Sequence, residues 1–302
     1  MAKTEVIPLD LNFQGRPRAI ASYLIHHSAG AVLIESGPGS TLPALKAALA
    51  SNGLSFADVT HVLLTHIHLD HAGAAGWLAQ QGAQIYVHPN GAPHLLNPEK
   101  LLLSAARIYG EKMDELWGEF LPVPAGQLKI AADAVAIVIG NLRFVPINTP
   151  GHAEHHHAYL FEDICFSGDV GGVRIPPYQY LRIPMPPPDL HFGRWRESIA
   201  RLKKEKFLRI APTHFGFFAD PEWQLQAVQA ELDETERWLE KAMPSNPSVE
   251  ELRKVFTDWM VQQGVEHGLS PSVVKTYELA NPPGMSADGL LRYWKKVRMG
   301  AA

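Results

Sequence analysis

The chain has 302 residues, 46% hydrophobic and 19% charged, with a formal net charge of -4. That supports a sizeable core in one large domain, or one domain with an appendage, and excludes a disordered or fibrous class. The mild acidity and the absence of a long basic stretch argue against nucleic acid as a partner.

The opening Met1-Ala2-Lys3-Thr4-Glu5-Val6 lacks the apolar core of a signal peptide, and no apolar run is long enough to span a bilayer. A cytoplasmic protein with no membrane partner is the expectation. Val6-Ile7-Pro8-Leu9, Ser22-Tyr23-Leu24-Ile25 and Ala31-Val32-Leu33-Ile34 read as short strands. Asn12, Gly15, Pro17 and Gly30 separate them, which predicts an antiparallel opening. Glu35-Ser36-Gly37-Pro38-Gly39 then turns into a helix from about Leu42 to Ala50. It lacks the Gly-Lys-Ser/Thr of a phosphate loop and the third glycine of a dinucleotide fingerprint, so tight-turn geometry accounts for its glycines.

Val62-Leu63-Leu64 reads as a buried strand, and a helix begins at about Ala72 and ends near Gln81-Gly82. Gln84-Ile85-Tyr86-Val87 is a further strand. Over 92–120 the periodicity is helical, with Leu101, Leu102, Ala105, Ile108 and Tyr109 on one stripe. A hairpin is expected around Gly140-Asn141, between strands at 134–138 and 142–145. Strands at 158–161 and 164–166 flank a turn at Glu162-Asp163, and 208–211 is the last strand. Cys165, the only cysteine, lies in one of these strands. It permits no intrachain disulfide and reads as a buried, inert thiol. The densest basic run, Arg201, Lys203, Lys204, Lys206 and Arg209, is interrupted by Glu205 and reads as the solvated face of a helix.

From Asp220 the chain reads as all-helical. Asp220-Pro221 has a capping acid followed by proline at the first helical position, and that helix runs to about Met243. Ser248 and Glu251 make a capping box, and Ser270-Pro271 and Ser286 open two more helices. The stripe of Leu225, Val228, Leu232 and Leu239 is expected to pack on the main domain, with a homodimer seam as a second use.

The most informative stretch is Thr65-His66-Ile67-His68-Leu69-Asp70-His71, set between the buried strand and its helix. Neutral imidazole and ionised carboxylate are the ligands zinc and similar cations take from protein. The set is too large for one tetrahedral ion and suggests two that divide it. Later loops add one ligand type each, all following strands: Gly151-His152, Gly168-Asp169 and Thr213-His214.

This pattern resembles the metallo-β-lactamase superfamily, in particular the hydrolase branch that includes glyoxalase II and the acyl-homoserine lactonases. The resemblance covers roughly residues 4–218 and rests on His66-x-His68-x-Asp70-His71 followed in order by His152, Asp169 and His214. It implies an α/β fold, a four-layer αβ/βα sandwich. The catalytic domain would span 1–218 with a helical insertion at about 92–120, followed by a helical extension at 219–302. It also implies that His66, His68 and His152 hold one ion, that Asp70, His71 and His214 hold the other, and that Asp169 bridges them. Glu35-Ser36-Gly37 stands where relatives commonly have Asp-Thr-Gly, a position that orients ligands. His155, His156, His157, His61, His88 and His94 read as packed or exposed rather than as ligands.

Two divalent cations, zinc first with iron or manganese as alternatives, can lower the pKa of a shared water toward about 7. A bridged hydroxide would then cleave an ester, thioester or lactone of a small-molecule acyl substrate, with Asp70 as ligand, orienter and proton relay. No Gly-x-Ser-x-Gly elbow offers a competing nucleophile. The loop after Asp169 carries Tyr178, Tyr180 and Arg182 as candidate substrate contacts, with aromatic packing as the alternative. The insertion and the helical tail could roof the site and favour a bulky acyl group. Phosphodiester hydrolysis with the same ligands, and a metal-containing sensor without turnover, are the competing readings.

Overall fold

In a computed structural model describing residues 3–300, two mixed sheets stack face to face with helices on both outer sides. The chain's first two and last two residues lie outside the described residues.

Strands β1 (Val6–Asp10), β2 (Ala21–His27) and β3 (Gly30–Ile34) form the expected antiparallel opening, with Val6 opposite Ile25 and Tyr23 opposite Ile34. Helix α1 (Leu42–Ser51) then carries the chain over to β4 (Val59–Leu63), which runs parallel to β3. The short helices α2 (Leu69–Ala72) and α3 (Ala75–Gln80) lead to β5 (Gln84–Val87), parallel to β4.

The helical stretch expected over 92–120 is three pieces: α4 (Ala92–Leu96), α5 (Glu99–Tyr109) and α6 (Met113–Trp117). Pro98, which cannot supply an interior helical N–H, precedes α5, and Gly110 at φ 53 follows it. Strand β6 (Leu128–Ile130), which sequence patterning does not reveal, completes the first sheet parallel to β5. It is three residues long and half exposed, so it lacks the apolar run that marks a buried strand.

The second sheet runs β11-β10-β9-β8-β7. Strands β7 (Ile137–Ile139) and β8 (Leu142–Asn148) make the hairpin expected at Gly140. Its first strand is shorter than the apolar run suggests, because Ala134 adopts a left-handed φ of 58. Strands β9 (His157–Phe161) and β10 (Ile164–Phe166) pair antiparallel, and β11 (Arg209–Ala211) joins β10 in parallel.

Helix α7 (Phe192–Leu202) is an addition to the elements expected from sequence, although its buried Phe192, Trp195, Ile199 and Leu202 follow helical spacing. It also corrects the expected helical face for the basic run. Arg201 ends α7, Lys203, Lys204 and Lys206 follow it, and Arg209 sits on β11 with its guanidinium on Asp163 at 2.9 Å.

Alternation along the strands builds the layers. Leu24 and Leu33 face the helices with Leu45, Leu49 and Leu78, while Tyr23, Ile25 and Ile34 face the second sheet with Phe144, Tyr159 and Phe166. A third cluster covers the far face of the second sheet, where Cys165 and Ile147 meet Trp195, Val228, Phe256 and Leu290. Burial pushes the Cys165 thiol pKa up, in keeping with an inert side chain.

The tail is helical: α8 (Pro221–Ala242), α9 (Val249–Glu266), α10 (Pro271–Ala280) and α11 (Pro283–Tyr293), with a further turn over 294–298. Leu225, Val228, Leu232 and Leu239 are buried in the third cluster, as the stripe predicted. The Ser248–Glu251 capping box forms. Asp220 does not cap α8. Its carboxylate instead takes a bidentate ion pair from Arg174 at 2.7 and 2.9 Å, an interaction stronger than a cap. Ser286 does not open α11 but lies inside it, buried, donating to Asn281 Oδ1 at 2.8 Å. No helix among the described residues is long and apolar enough to cross a membrane.

Glu231 on α8 offers a pH-dependent test of this packing. Burial, reinforced by Glu234 and opposed by Arg182, pushes its carboxyl up to about 8. An unfolded glutamate titrates near about 4.3, so the folded state holds a proton that the unfolded state has released. The cost to stability therefore builds as pH rises from the unfolded toward the folded value. Glu231→Gln should stabilise the fold by roughly 2–5 kcal/mol at pH 8 and by almost nothing near pH 4. Denaturant melts at both pH values check this, and an equal gain at both would overturn it.

Candidate metal centre

Every proposed ligand sits in a loop or helix start just beyond a strand, where backbone direction is set by a rigid sheet and side chains are free to converge. His66 and His68 follow β4, Asp70 and His71 lie on α2, His152 follows β8, Asp169 follows β10 and His214 follows β11. Two glycines make the approach possible. Gly168 has φ +50, and a Cβ there would stand 2.6 Å from Thr65 Oγ1 and 2.7 Å from His156 Nε2. At Gly151, φ is +136 and a Cβ would meet the Trp195 backbone at 2.4 Å.

The side chains form two groups around Asp169. In the first, His68 Nδ1 lies 2.9 Å from both His66 Nε2 and His152 Nε2, which are 3.3 Å from each other. Asp169 Oδ2 is 3.3 Å from His152 Nε2 and 4.0 Å from His66 Nε2. In the second, Asp70 Oδ2 is 3.5 Å from His71 Nε2 and 3.4 Å from His214 Nε2. Asp169 Oδ1 is 3.3 Å from the same atom of His71 and 3.4 Å from that of His214. Ligands on a tetrahedral zinc with bonds of about 2.0–2.1 Å sit roughly 3.3 Å apart, close to these separations.

The far ring nitrogens are already committed. His152 Nδ1 donates to Pro184 O at 2.9 Å, His214 Nδ1 to Ala19 O at 2.6 Å, and His71 Nδ1 to Glu35 Oε1 at 3.1 Å. His66 Nδ1 lies 3.0 Å from Thr65 Oγ1. These bonds leave the Nε2 lone pairs aimed inward. His71 Nε2, His214 Nε2 and Asp169 Oδ1 are buried without a hydrogen-bond partner, the state a cation would relieve. The residues therefore fit a metal.

Electrostatics agree. Burial works against charge on His71 and His214, but carboxylates outweigh it: Asp70, Asp169 and Glu35 hold His71 well above its usual range, and Asp169 and Asp70 raise His214 to about 9. Burial and neighbouring imidazoles push His66 and His68 well below theirs. One group thus draws positive charge and the other presents neutral nitrogens, and metal ions can satisfy both.

The superfamily model for the metallo-beta-lactamase superfamily matches residues 15–216. The chain belongs to that superfamily. A metallo-beta-lactamase fold-containing protein, ST1585 of Sulfurisphaera tokodaii, is 30% identical over 173 residues, 54% of this chain and 61% of its own. A hydroxyacylglutathione hydrolase of Xylella fastidiosa strain M12 is 32% identical over 146 residues, 48% of this chain and 43% of its own. The alignments thus span only about half of each of these relatives (61% and 43%). The solved metallo-beta-lactamase family protein TTHA1429 of Thermus thermophilus shares the fold at a TM-score of 0.63 and 21% identity. That likeness covers 97% of this chain and 93% of the other, so it includes the helical tail.

Within this metallo-beta-lactamase fold, Glu35 anchors the centre from beneath. It is fully buried and accepts from Thr65 Oγ1 at 2.5 Å, from Thr213 Oγ1 and His71 Nδ1 at 3.1 Å, and from the Thr65 N–H at 3.2 Å. His156 does more than fill space: Val170 N–H donates to its Nε2 at 3.4 Å, and its Nδ1 meets Thr149 Oγ1 at 2.8 Å, steadying the Asp169 loop.

The candidate substrate contacts in the loop after Asp169 are corrected. Tyr180 and Arg182 are buried away from the centre, with Arg182 donating to Tyr180 Oη at 3.1 Å and to Met260 O at 2.9 Å. Tyr178 packs at the edge of the same cluster, and none of the three lines the cavity above the ligands. The tail helices claim them: Tyr277 Oη donates to Tyr180 O at 2.8 Å and accepts from Ile175 N–H at 2.9 Å. The phenol that does line the cavity is Tyr109, on the helical insertion. Its helical stripe was legible, but its direction depended on how α5 docks.

Proposed function

We propose that this superfamily member is a dinuclear metal-dependent hydrolase of a carboxylic ester, thioester or lactone. The observation that carries this reading is Asp169, whose two oxygens face two separate ligand groups. His66, His68 and His152 would hold one divalent cation and Asp70, His71 and His214 the other, with Asp169 shared and zinc the first candidate. Bound there, such a pair lowers the pKa of a shared water and polarises a carbonyl at neutral pH.

The chain's own side chains supply positioning and proton handling. Asp70 has 20% of its side chain exposed and lines the cavity, so it is placed to orient the attacking water and relay its proton to the departing oxygen or sulfur. Water adds to the acyl carbon, the carbon–oxygen or carbon–sulfur bond breaks, and the leaving group takes the proton. Among the cavity-lining residues Lys100 is the only lysine or arginine, which disfavours a phosphodiester backbone as substrate.

The test is a panel of thioesters, lactones and phosphodiesters with zinc-, iron- or manganese-loaded protein. Acyl cleavage that His68→Ala abolishes is the expected result. Phosphodiester turnover lost in that variant, with no acyl cleavage, would overturn the reading.

A further inference from the structure

The cavity above the metal centre is about 260 Å³. Its floor includes His68, Asp70, His152 and Asp169, and its walls are mostly apolar. Two segments outside the ligand loops close it. One is α5, which contributes Leu101, Ala105, Ile108 and Tyr109. The other is the α10–α11 junction, which contributes Leu279 and Met285. Tyr109 Oη donates to Met285 Sδ at 3.1 Å, joining segments 176 residues apart across the top. The junction is pinned in turn by Asn281 Nδ2 donating to Ile183 O at 3.1 Å.

Above the ligand floor, charge is confined to the edges. Lys100 is exposed at the rim and Asp189 is partly exposed. A polar or multiply charged acyl group would lose its hydration here without compensating partners.

Building on the hydrolase reading, we propose that this roofed cavity is the acyl subsite, and that it selects an aliphatic acyl group over a polar or charged one. The carbonyl lies over the ligand floor, the chain runs beneath the Tyr109–Met285 bridge, and the leaving group points to the rim.

The test uses the full-length, zinc-loaded protein. Calorimetric titration with acetate, butyrate, hexanoate, octanoate and decanoate, the carboxylate products of such substrates, reads the subsite without turnover. Each added methylene should tighten binding by up to about fourfold, so octanoate should bind at least roughly tenfold tighter than butyrate. The p-nitrophenyl esters of the same acids should follow the same order in kcat/KM. Ala105→Phe, which fills the cavity, should lower the octanoyl-to-acetyl ratio about tenfold. If that variant fails to fold, Ile108→Ala, at a half-buried position, should weaken octanoate several-fold more than acetate.

Equal affinity across the carboxylates would overturn the subsite. A flat carboxylate series alongside ester turnover sinks the subsite and spares the hydrolase. Length-dependent binding with no turnover of any ester does the reverse.

Discussion

On the proposed dinuclear acyl-hydrolase reading, replacing Asp169 with alanine should lower the metal content from two ions per chain to one or none, and reduce kcat/KM for an acyl ester by roughly 10³-fold or more. Changing even a residue that supports a metal ligand commonly costs about 10–100-fold. Asp169 faces both groups with its two oxygens, 3.3 Å from His152 through one and 3.3 Å from His71 through the other. Its loss removes an acceptor from each group and leaves the Nε2 atoms of His71 and His214 facing Asp70 alone. Asparagine should be nearly as damaging, since it replaces a shared charge with one weak ligand atom. Elemental analysis of purified protein together with steady-state kinetics measures both effects. Two ions per chain and a kcat/KM within tenfold of the parent would remove Asp169 from its bridging position.

Replacing Glu35 with alanine should destabilise the fold by about 3–5 kcal/mol and weaken metal binding by about 10–100-fold. Glu35 contacts no cavity, so the effect acts through what it holds. Four donors converge on its carboxylate: the Thr65 N–H and hydroxyl, the Thr213 hydroxyl and His71 Nδ1. Truncation orphans all of them in a site with no solvent. Freed from that bond, His71 can turn its ring or change tautomer, and its Nε2 no longer points inward. Glu35→Gln, which keeps the shape but places an amide N–H against existing donors, should fall between the parent and alanine. Denaturant midpoints with and without zinc separate the contributions. The alanine variant should lose stability in both states and lose more with zinc. Unchanged midpoints in both would exclude Glu35 as the anchor.

The seven candidate ligand positions are readable from the chain alone because metal chemistry restricts residue type so strongly. Few roles besides metal binding suit His66-x-His68-x-Asp70-His71 after an apolar run, and Gly151 and Gly168 mark where backbone must pass close to a neighbour. Strands with clean apolar runs, such as β2, β3 and β5, are equally legible because both faces of the first sheet are covered. Strand β6 is not, being short and half exposed. Helix α7 is masked because the proline-rich stretch before it and the basic run after it dominate local composition. Asp220 and Ser286 have the chemistry of caps, but Asp220 is claimed by Arg174, 46 residues away, and Ser286 by Asn281 at the end of the preceding helix.

By itself, then, the amino-acid order determined most of the sheet strands, the helical tail and the candidate ligands, since these follow from period, turn chemistry and coordination preference within a few residues. Only tertiary structure decided which aromatic and charged side chains face the site. Tyr178, Tyr180 and Arg182 lie near Asp169 in sequence yet pack beneath α9 and α10, while Tyr109 arrives from a helix some sixty residues earlier. The reason is physical: ligand type is dictated by the ion, but the direction of a wall residue depends on how separate helices dock, and that is set by the total apolar area they bury together.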